Sequence, residues 1–396
     1  MKDILIFTTR QLCYNSGNFF AKRIGKELEL SGYNCVYCEI PENAIPAANS
    51  EIAQPASINS GKYVDFEAEN LLERHINKKY IAVIDFNSKL PRLIMDDNSY
   101  YLDNINAPFL NILLDHPLYH HNSLQCHLNN YNVMSIDEDH CSYIRKNYPN
   151  IKNVYNINLG ADVCKSYDNN KEEYVLFMGT YRNPDTYYNQ ILAAPEPDKK
   201  IMLGMLGELL DNSEMTIEKS LKTENNPLNY NKYYLVEMYY RNYYRKKVID
   251  SVVNNGFPVK VIGEWWNQYD KIGQKNIVMN SSVSYEKSYE VISKHKILLD
   301  SSPFFKKGIH DRVYSGMANR TVVLSDYSEY KKNLLHGEIE MYKPECLEDE
   351  ICEKTEKLMT DKCYYAELTE KAYAHYCNEY TWHKSVDRII KHFLCE

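Results

Sequence analysis

No run of 18 apolar residues occurs in the 396-residue chain, which excludes a membrane-spanning helix of ordinary length. The first residues also lack the apolar core of a secretory leader. Ile4-Leu5-Ile6-Phe7 gives way at once to Thr8-Thr9-Arg10, so this stretch reads as a first buried strand and a cytoplasmic location is expected. Positive charge is in deficit. Lys and Arg number 46 against 54 Asp and Glu, a formal net charge of −8. That balance argues against nucleic acid as the main partner, although local basic patches remain able to bind phosphate. The loop after the first strand lacks Gly-x-Gly-x-x-Gly, which weakens a dinucleotide-dehydrogenase reading. There is no low-complexity segment and no short-period repeat. Cysteine is not scarce, but its 11 residues lack metal-ligand spacing. The close pair Cys35 and Cys38 falls in an apparent strand whose alternation sends the two thiols to opposite faces. Reduced buried thiols are therefore expected, rather than a zinc or redox site.

What is present is enough apolar material, 44% of residues, for two domains of ordinary size. Apolar runs at 3–8, 33–40, 80–86, 109–114, 132–136 and 154–157 are separated by helical stretches. The first such stretch, 18–30, ends at Gly32. Continuous apolar strands alternating with helices indicate parallel sheets covered on both faces. A polar stretch from Asp162 to Glu173 reads as a linker, after which the style repeats at 174–178, 259–262, 277–279, 297–299 and 321–324. The expected organisation is a Rossmann-like acceptor domain over 1–165 and a Rossmann-like donor domain over 174–378, with a helical segment at 187–252. A final helix over 379–396 is expected to return to the first domain. The fold class is α/β, and in such folds ligands sit beyond the carboxyl ends of the strands. The tyrosines at 233, 234, 239, 240, 243 and 244 precede Arg245-Lys246-Lys247 and read as an amphipathic helix, with a sugar-stacking or partner surface as the sharper alternative.

The strongest chemical signal runs from Ser281 to Asp326. A strand, 296–299, ends in Asp300-Ser301-Ser302-Pro303. The loop Lys306-Lys307-Gly308-Ile309-His310-Asp311-Arg312 follows, and then a helix and another strand. Gly308 allows close backbone approach, the helix start turns amide groups toward an anion, and Lys306, Lys307, His310 and Arg312 add donors. A diphosphate suits this arrangement; a solvated basic loop at a domain edge is the plain alternative.

Four pieces in this order resemble GT-B glycosyltransferases, most closely the group related to the spore-maturation protein CgeB. They are Phe177-Met178-Gly179-Thr180-Tyr181-Arg182, Val261-Ile262-Gly263-Glu264-Trp265-Trp266, Val283-Ser284-Tyr285, and Gly308 to Arg312 leading to Met317-Ala318. The resemblance covers 174–326 and, more loosely, the whole chain, including the helix after Thr381-Trp382. It implies transfer of a hexose-type sugar from a UDP-, GDP- or other nucleotide-sugar donor, with retention and without metal or other cofactor. It assigns the diphosphate to Arg182, Lys307, Arg312 and the backbone at Gly179 and Gly308. Val283 and Tyr285 would pack on the nucleobase, or be ordinary strand-end packing. Many retaining relatives hold the donor ribose with a Glu; that position here is Ser315, and the earlier acidic position of the motif falls near Lys307, leaving Asp311 as the candidate for the contact. His310 would hydrogen-bond the leaving group or cap the helix.

In the first half, Asp115-His116-Pro117-Leu118-Tyr119-His120-His121 follows an apolar strand. Asp115 or His116 could take a proton from an acceptor hydroxyl. The competing reading is a structural turn with histidine bonded to backbone, and a metal site is disfavoured because adjacent histidines diverge. Arg10, Gly17, Asn18 and His120 are acceptor-side candidates, with a plain helix cap as the alternative for 17–18. The acceptor class (glycan, protein or small molecule) and homo-oligomer formation stay open. Two other functions compete with a glycosyltransferase: a non-catalytic binding partner on the same architecture, and a nucleotide-sugar epimerase.

Overall fold

The computed structural model describes residues 2–9, 12–41, 56–57, 66–165, 170–221 and 233–395. These fall into two compact units, residues 2–158 with 382–395, and residues 159–221 with 233–381.

The first unit is built on β1 (Asp3–Thr9), β2 (Asn34–Ile40), β4 (Ala82–Phe86), β6 (Phe109–Leu113), β7 (Tyr131–Ser135) and β8 (Asn153–Asn156). All pair in parallel, in the order β2-β1-β4-β6-β7-β8. Two-residue strands β3 (Ala56–Ser57) and β5 (Leu93–Ile94) form a separate pair. Its helices are α1 (Ser16–Leu30), α2 (Phe66–Glu73), α3 (His121–Leu124), α4 (Glu138–Asn147) and α14 (Trp382–Ile389). The central strands are buried on both faces, which is why they read as unbroken apolar runs. Leu5, Phe7, Val83, Phe109 and Val133 form one core. On the other face α1 lies close to Ile6 and Tyr37. Cys38 belongs to the first core while Cys35 Sγ donates to Gly25 O of α1, so alternation does separate the two thiols, and both are free. Trp382 of α14 sits 6.0 and 5.8 Å, ring to ring, from Phe19 and Phe20 of α1. The chain's last helix is thereby part of the core that its first helix begins.

The second unit holds β9 (Glu172–Met178), β10 (Val259–Ile262), β11 (Ile277–Asn280), β12 (His295–Leu299), β13 (Val322–Asp326) and β14 (Glu340–Tyr342), all parallel, in the order β11-β10-β9-β12-β13-β14. Helices α5 (Pro184–Ala193), α6 (Asp198–Asp211), α7 (Ile217–Ser220) and α8 (Tyr234–Asn254) come between β9 and β10. After β11 come α9 (Tyr285–Ser293), α10 (Asp311–Ala318), α11 (Glu329–Leu335), α12 (Leu347–Thr360) and α13 (Lys362–Glu379). Strand alternation splits the core. Val175, Phe177, Val261, Ile297 and Leu299 pack with α8 and α12. Leu176, Ile262 and Leu298 pack with Ile292 of α9 on the other side. Chain order reverses between β9 and β12, so the two adjacent carboxyl ends there open a crevice at the switch point of a doubly wound sheet. A half-buried ammonium braces the far side. Lys171 Nζ donates to Ser293 O at 2.7 Å, Asn319 O at 3.1 Å and Thr321 Oγ1 at 3.0 Å, satisfying carbonyls that end α9 and α10.

Candidate functional site

The switch point of the second unit gathers most of the donor-side residues expected from sequence. After β9, Gly179 bends the chain, and Gly263 does the same after β10. A Cβ on Gly263 would meet Gly179 O at 2.2 Å, and both glycines have positive φ, +155° and +156°, so neither tolerates a side chain without movement. Trp266 Nε1 donates to that same Gly179 carbonyl at 2.8 Å. The two Gly-containing ends are thus a matched pair, packed backbone to backbone. Arg182 is exposed and lies over the Trp265 ring, 4.6 Å from its centroid.

After β12, Asp300 is fully buried and accepts from Arg312 Nη1 at 2.6 Å, Ser302 Oγ at 2.6 Å and Ser325 Oγ at 2.9 Å. Burial alone would raise its pKa. Arg312, Lys331 and His310 outweigh burial and hold the carboxyl well below the usual range. Beside it, Asp326 Oδ1 accepts from Ser302 N at 2.8 Å. The fully buried Lys331 donates to Ser325 Oγ and to Asp326 O, and its Nζ lies 3.4 Å from Asp326 Oδ2. The small residues Ser301-Ser302 therefore seat a buried ionic floor under the loop that follows.

Arg312 opens α10. With Nη1 committed to Asp300, its Nη2 faces the β9 end, 3.9 Å from where a Cβ on Gly179 would stand. Its guanidinium lies against the Phe177 ring, 5.6 Å from the centroid. Arg245 of α8 approaches the same ring at 5.4 Å and donates through Nη1 to Thr180 O at 2.8 Å. Arg245 Nε is buried with no hydrogen-bond partner among the described residues. Burial, with Arg241 and Arg312 adding repulsion, pushes Arg245 down to about 9, still cationic at neutral pH. Two guanidiniums against one ring, only one of them bonded to a carboxylate, describe an electrostatic environment that favours an added anion.

The rest of the loop sorts itself by burial. Gly308 is buried, Lys307 is exposed, and Lys306 is the buried member of the lysine pair. Burial lowers the Lys306 pKa against the opposing pull of Asp326, Glu214 and Glu345. His310 occupies the cap of α10, with Nδ1 3.3 Å from Arg312 N and 2.7 Å from Asp311 Oδ1. The shorter, charge-assisted contact needs a proton on Nδ1. Asp311 also accepts from Tyr285 Oη. Burial would raise the Asp311 pKa, but His310 and Tyr285 hold it at about 2. Ser315 Oγ donates to Asp311 O at 2.9 Å. Val283 packs against the apolar cluster of Leu176, Ile262 and Leu298, and Tyr285 is the first residue of α9.

In the first unit, Asp115 is exposed and accepts from Asn87 at 2.8 Å. His116 is buried and accepts from Leu118 N at 3.1 Å, which is the backbone-capping role that competed with catalysis. His120 is buried, with no partner for Nε2 among the described residues; burial first, then His116 and Lys89, push its pKa down to about 4 against the pull of Asp115. Among the described residues nothing crowds Gly17. The helix begins at Ser16, one residue before that pair, and Asn18 is buried in its first turns with no partner for Oδ1 among the described residues. Asn18 is therefore not the cap. Arg10 lies outside the described residues.

Sequence reasoning missed Asp300, Phe177 and Arg245 as site residues. The Asp300 position after a strand was a usable signal. Arg245 was not separable from Lys246 and Lys247, since only the helix phase shows which of the three turns inward.

Comparison with known proteins follows this geometry. Residues 244–391 match the profile of a family described as "Glycosyl transferase-like". No curated protein matches the chain. Sucrose-phosphate synthase from Thermosynechococcus elongatus shares the fold with a TM-score of 0.57 at 8% identity, over 99% of this chain and 98% of that one. T4 phage BGT, in complex with its UDP-glucose substrate, gives 0.54 at 12%, over 99% of both chains. An alpha-glucosyltransferase in complex with UDP-glucose and DNA containing an abasic site gives 0.53 at 11%, over 100% and 99%. The two parallel sheets thus have the GT-B fold.

Proposed function

We propose that the chain is a glycosyltransferase that binds a nucleotide sugar, with a UDP-sugar the favoured donor, in the second unit. The observation that carries this reading is the pair Arg245 and Arg312, both against Phe177 at the switch point, with Arg312 bonded to the buried carboxylate of Asp300 and Arg245 bonded to Thr180 O. Departure of a nucleoside diphosphate leaves growing negative charge on phosphate oxygens. Fixed guanidiniums stabilise that charge without reorganisation, so the site's own residues can do what a divalent ion does elsewhere. Metal-independent transfer with retention, to a hydroxyl acceptor, is the finer proposal, and the CgeB-like group is the proposed subgroup. Diphosphate contacts are assigned to Arg312, Arg245, Lys306 or Lys307 and the Gly179 and Gly308 backbone, with Arg182 and Trp265 at the rim. Asp115 and His120 are proposed for the acceptor side, joined by His116, Arg10, Gly17 and Asn18. One structural neighbour was solved with DNA. The net charge of −8 favours an acceptor other than a polyanion here.

The test is a thermal-shift and calorimetric series with UDP-, GDP- and ADP-sugars, with EDTA present. Binding raises the melting temperature by mass action. Arg245→Met is expected to leave the free protein as stable or more so, because a buried, half-satisfied cation is removed, yet to weaken the nucleotide sugar by about 10- to 100-fold. Arg312→Ala should weaken it as much and also destabilise the fold, since Asp300 loses its partner. Unchanged affinity in both variants removes the phosphate assignment. Release of free sugar or transfer, rather than inversion at a sugar carbon, separates this reading from an epimerase.

A further inference from the structure

The loop before α10 holds a three-residue chain that phosphate binding by arginines does not require. Tyr285 Oη donates to Asp311, and Asp311 Oδ1 lies 2.7 Å from His310 Nδ1. The chain ends at His310 Nε2, which has no hydrogen-bond partner among the described residues, on a side chain still 27% exposed. Behind it, Tyr289 sits edge-on to Tyr285, 5.8 Å between ring centroids. Phe305 lies edge-on to the imidazole at 5.5 Å, fixing the ring plane from the loop side.

Resting on the nucleotide-sugar reading, we propose that His310 is a proton-linked anchor for the donor diphosphate, with Asp311 and Tyr285 as its positioning residues. Asp311 keeps Nδ1 as the donor, so Nε2 is the nitrogen that changes state. When neutral it offers a lone pair, which repels a phosphate oxygen. When protonated it donates to that oxygen. A diphosphate placed beside the Asp311 carboxylate therefore draws one proton from solvent onto Nε2, and the proton returns to solvent when the nucleotide leaves. The charged groups facing this imidazole are Asp311 and Arg312 on its own helix and Asp300 from the end of β12. From α9, Tyr285 and Tyr289 face Asp311, and Asp162 faces Tyr289. None of the others is a group whose ordinary charge change falls between pH 6 and 8.5, which histidine's does.

The experiment is calorimetric titration of the full chain with UDP-glucose, and with any other nucleotide sugar that binds, from pH 6 to 8.5 in buffers of different ionisation enthalpy. A diphosphate esterified at both ends does not itself titrate in this range. Affinity is expected to fall with rising pH, by up to about tenfold per unit, with uptake of up to about one proton per ligand. His310→Asn puts a good helix-capping residue at the start of α10, and it should bind with flat pH dependence and no uptake. Asp311→Asn should move the midpoint of the pH dependence down, because the carboxylate that favours imidazolium is gone. Tyr285→Phe should move it up, because Asp311 then carries more charge toward His310. A merely structural role would not produce shifts of opposite sign. Buffer-independent heats and flat affinity in the unmodified chain overturn the proposal, as does proton uptake that survives His310→Asn. Midpoints unmoved in both other variants overturn the positioning roles. If no nucleotide sugar binds at any pH, the donor reading itself fails and this one with it.

Discussion

Asp85 shows how much one buried carboxyl can govern. It sits in β4 with its side chain inside the first unit, taking a hydrogen bond from Phe86 N at 2.8 Å. Burial pushes its pKa up to about 6, against the lowering effect of Ser88 and that backbone amide. Its folded pKa therefore lies above its unfolded value of about 3.9. Between those two values the folded state binds more protons, so stability falls as pH rises through about 4 to 6 and stays reduced above. Asp85→Asn is expected to abolish that decline and to stabilise the chain at pH 7 by roughly 3 kcal/mol. Urea melts at pH 4.5 and 7 decide it: a variant no more stable than the parent at pH 7 contradicts the assignment. Nothing in the sequence marks Asp85 in this way, because a lone acid in a strand reads the same whether it faces water or core. Arg245 was hidden for the same reason. Gly308, His310, Asp311 and Arg312 were legible because small, cationic and capping residues stand together just where a strand hands over to a helix.

At the scale of elements, sequence periodicity carried far. Strands β1, β6, β10 and β12 are where the apolar runs place them, because residues buried on both faces leave no polar interruption. What the pattern could not express is the contact between the ends of β9 and β10. It depends on two glycines far apart in sequence touching backbone to backbone. Gly263→Ala tests that contact. Its Cβ would fall 2.2 Å from Gly179 O, a backbone atom that also accepts from Trp266, so the neighbour cannot simply swing away. A loss of about 1–3 kcal/mol is expected, as in other overpacked sites, with weakened nucleotide-sugar binding because Arg245 is tied to Thr180 in the displaced loop. Gly17→Ala is the matched control. Among the described residues nothing lies within 4 Å of that position, and alanine suits a helix better than glycine, so a gain of about 0.5–1 kcal/mol is expected. A Gly263→Ala protein as stable as Gly17→Ala would show that the two strand ends do not need their close approach.

For the whole molecule, the decisive fact is that the first unit is discontinuous in sequence. The chain completes it, builds the second, and then adds α14 to the first. Residues some 360 positions apart share one aromatic cluster, Phe19 and Phe20 with Trp382, backed by the buried Val386 and Ile389. The sequence hinted at this through the Thr381-Trp382 helix, but contact between chain ends is not a property of any local pattern. Removing the indole leaves a cavity beside α1, a change that costs about 3–5 kcal/mol at comparable buried sites. The loss belongs to one unit. In Trp382→Ala, hydrogen exchange should therefore quicken at amides of 3–9, 16–30 and 82–86, which rest on that cluster. Amides of 172–178 and 295–299 owe their protection to a separate core of Val175, Phe177, Ile297 and Leu299 and should keep it. Nucleotide-sugar binding, being assigned to that second core, should survive the substitution. If exchange quickened equally in both sets, the two units would not be independent in stability, and the assignment of donor binding to one of them would lose its structural footing.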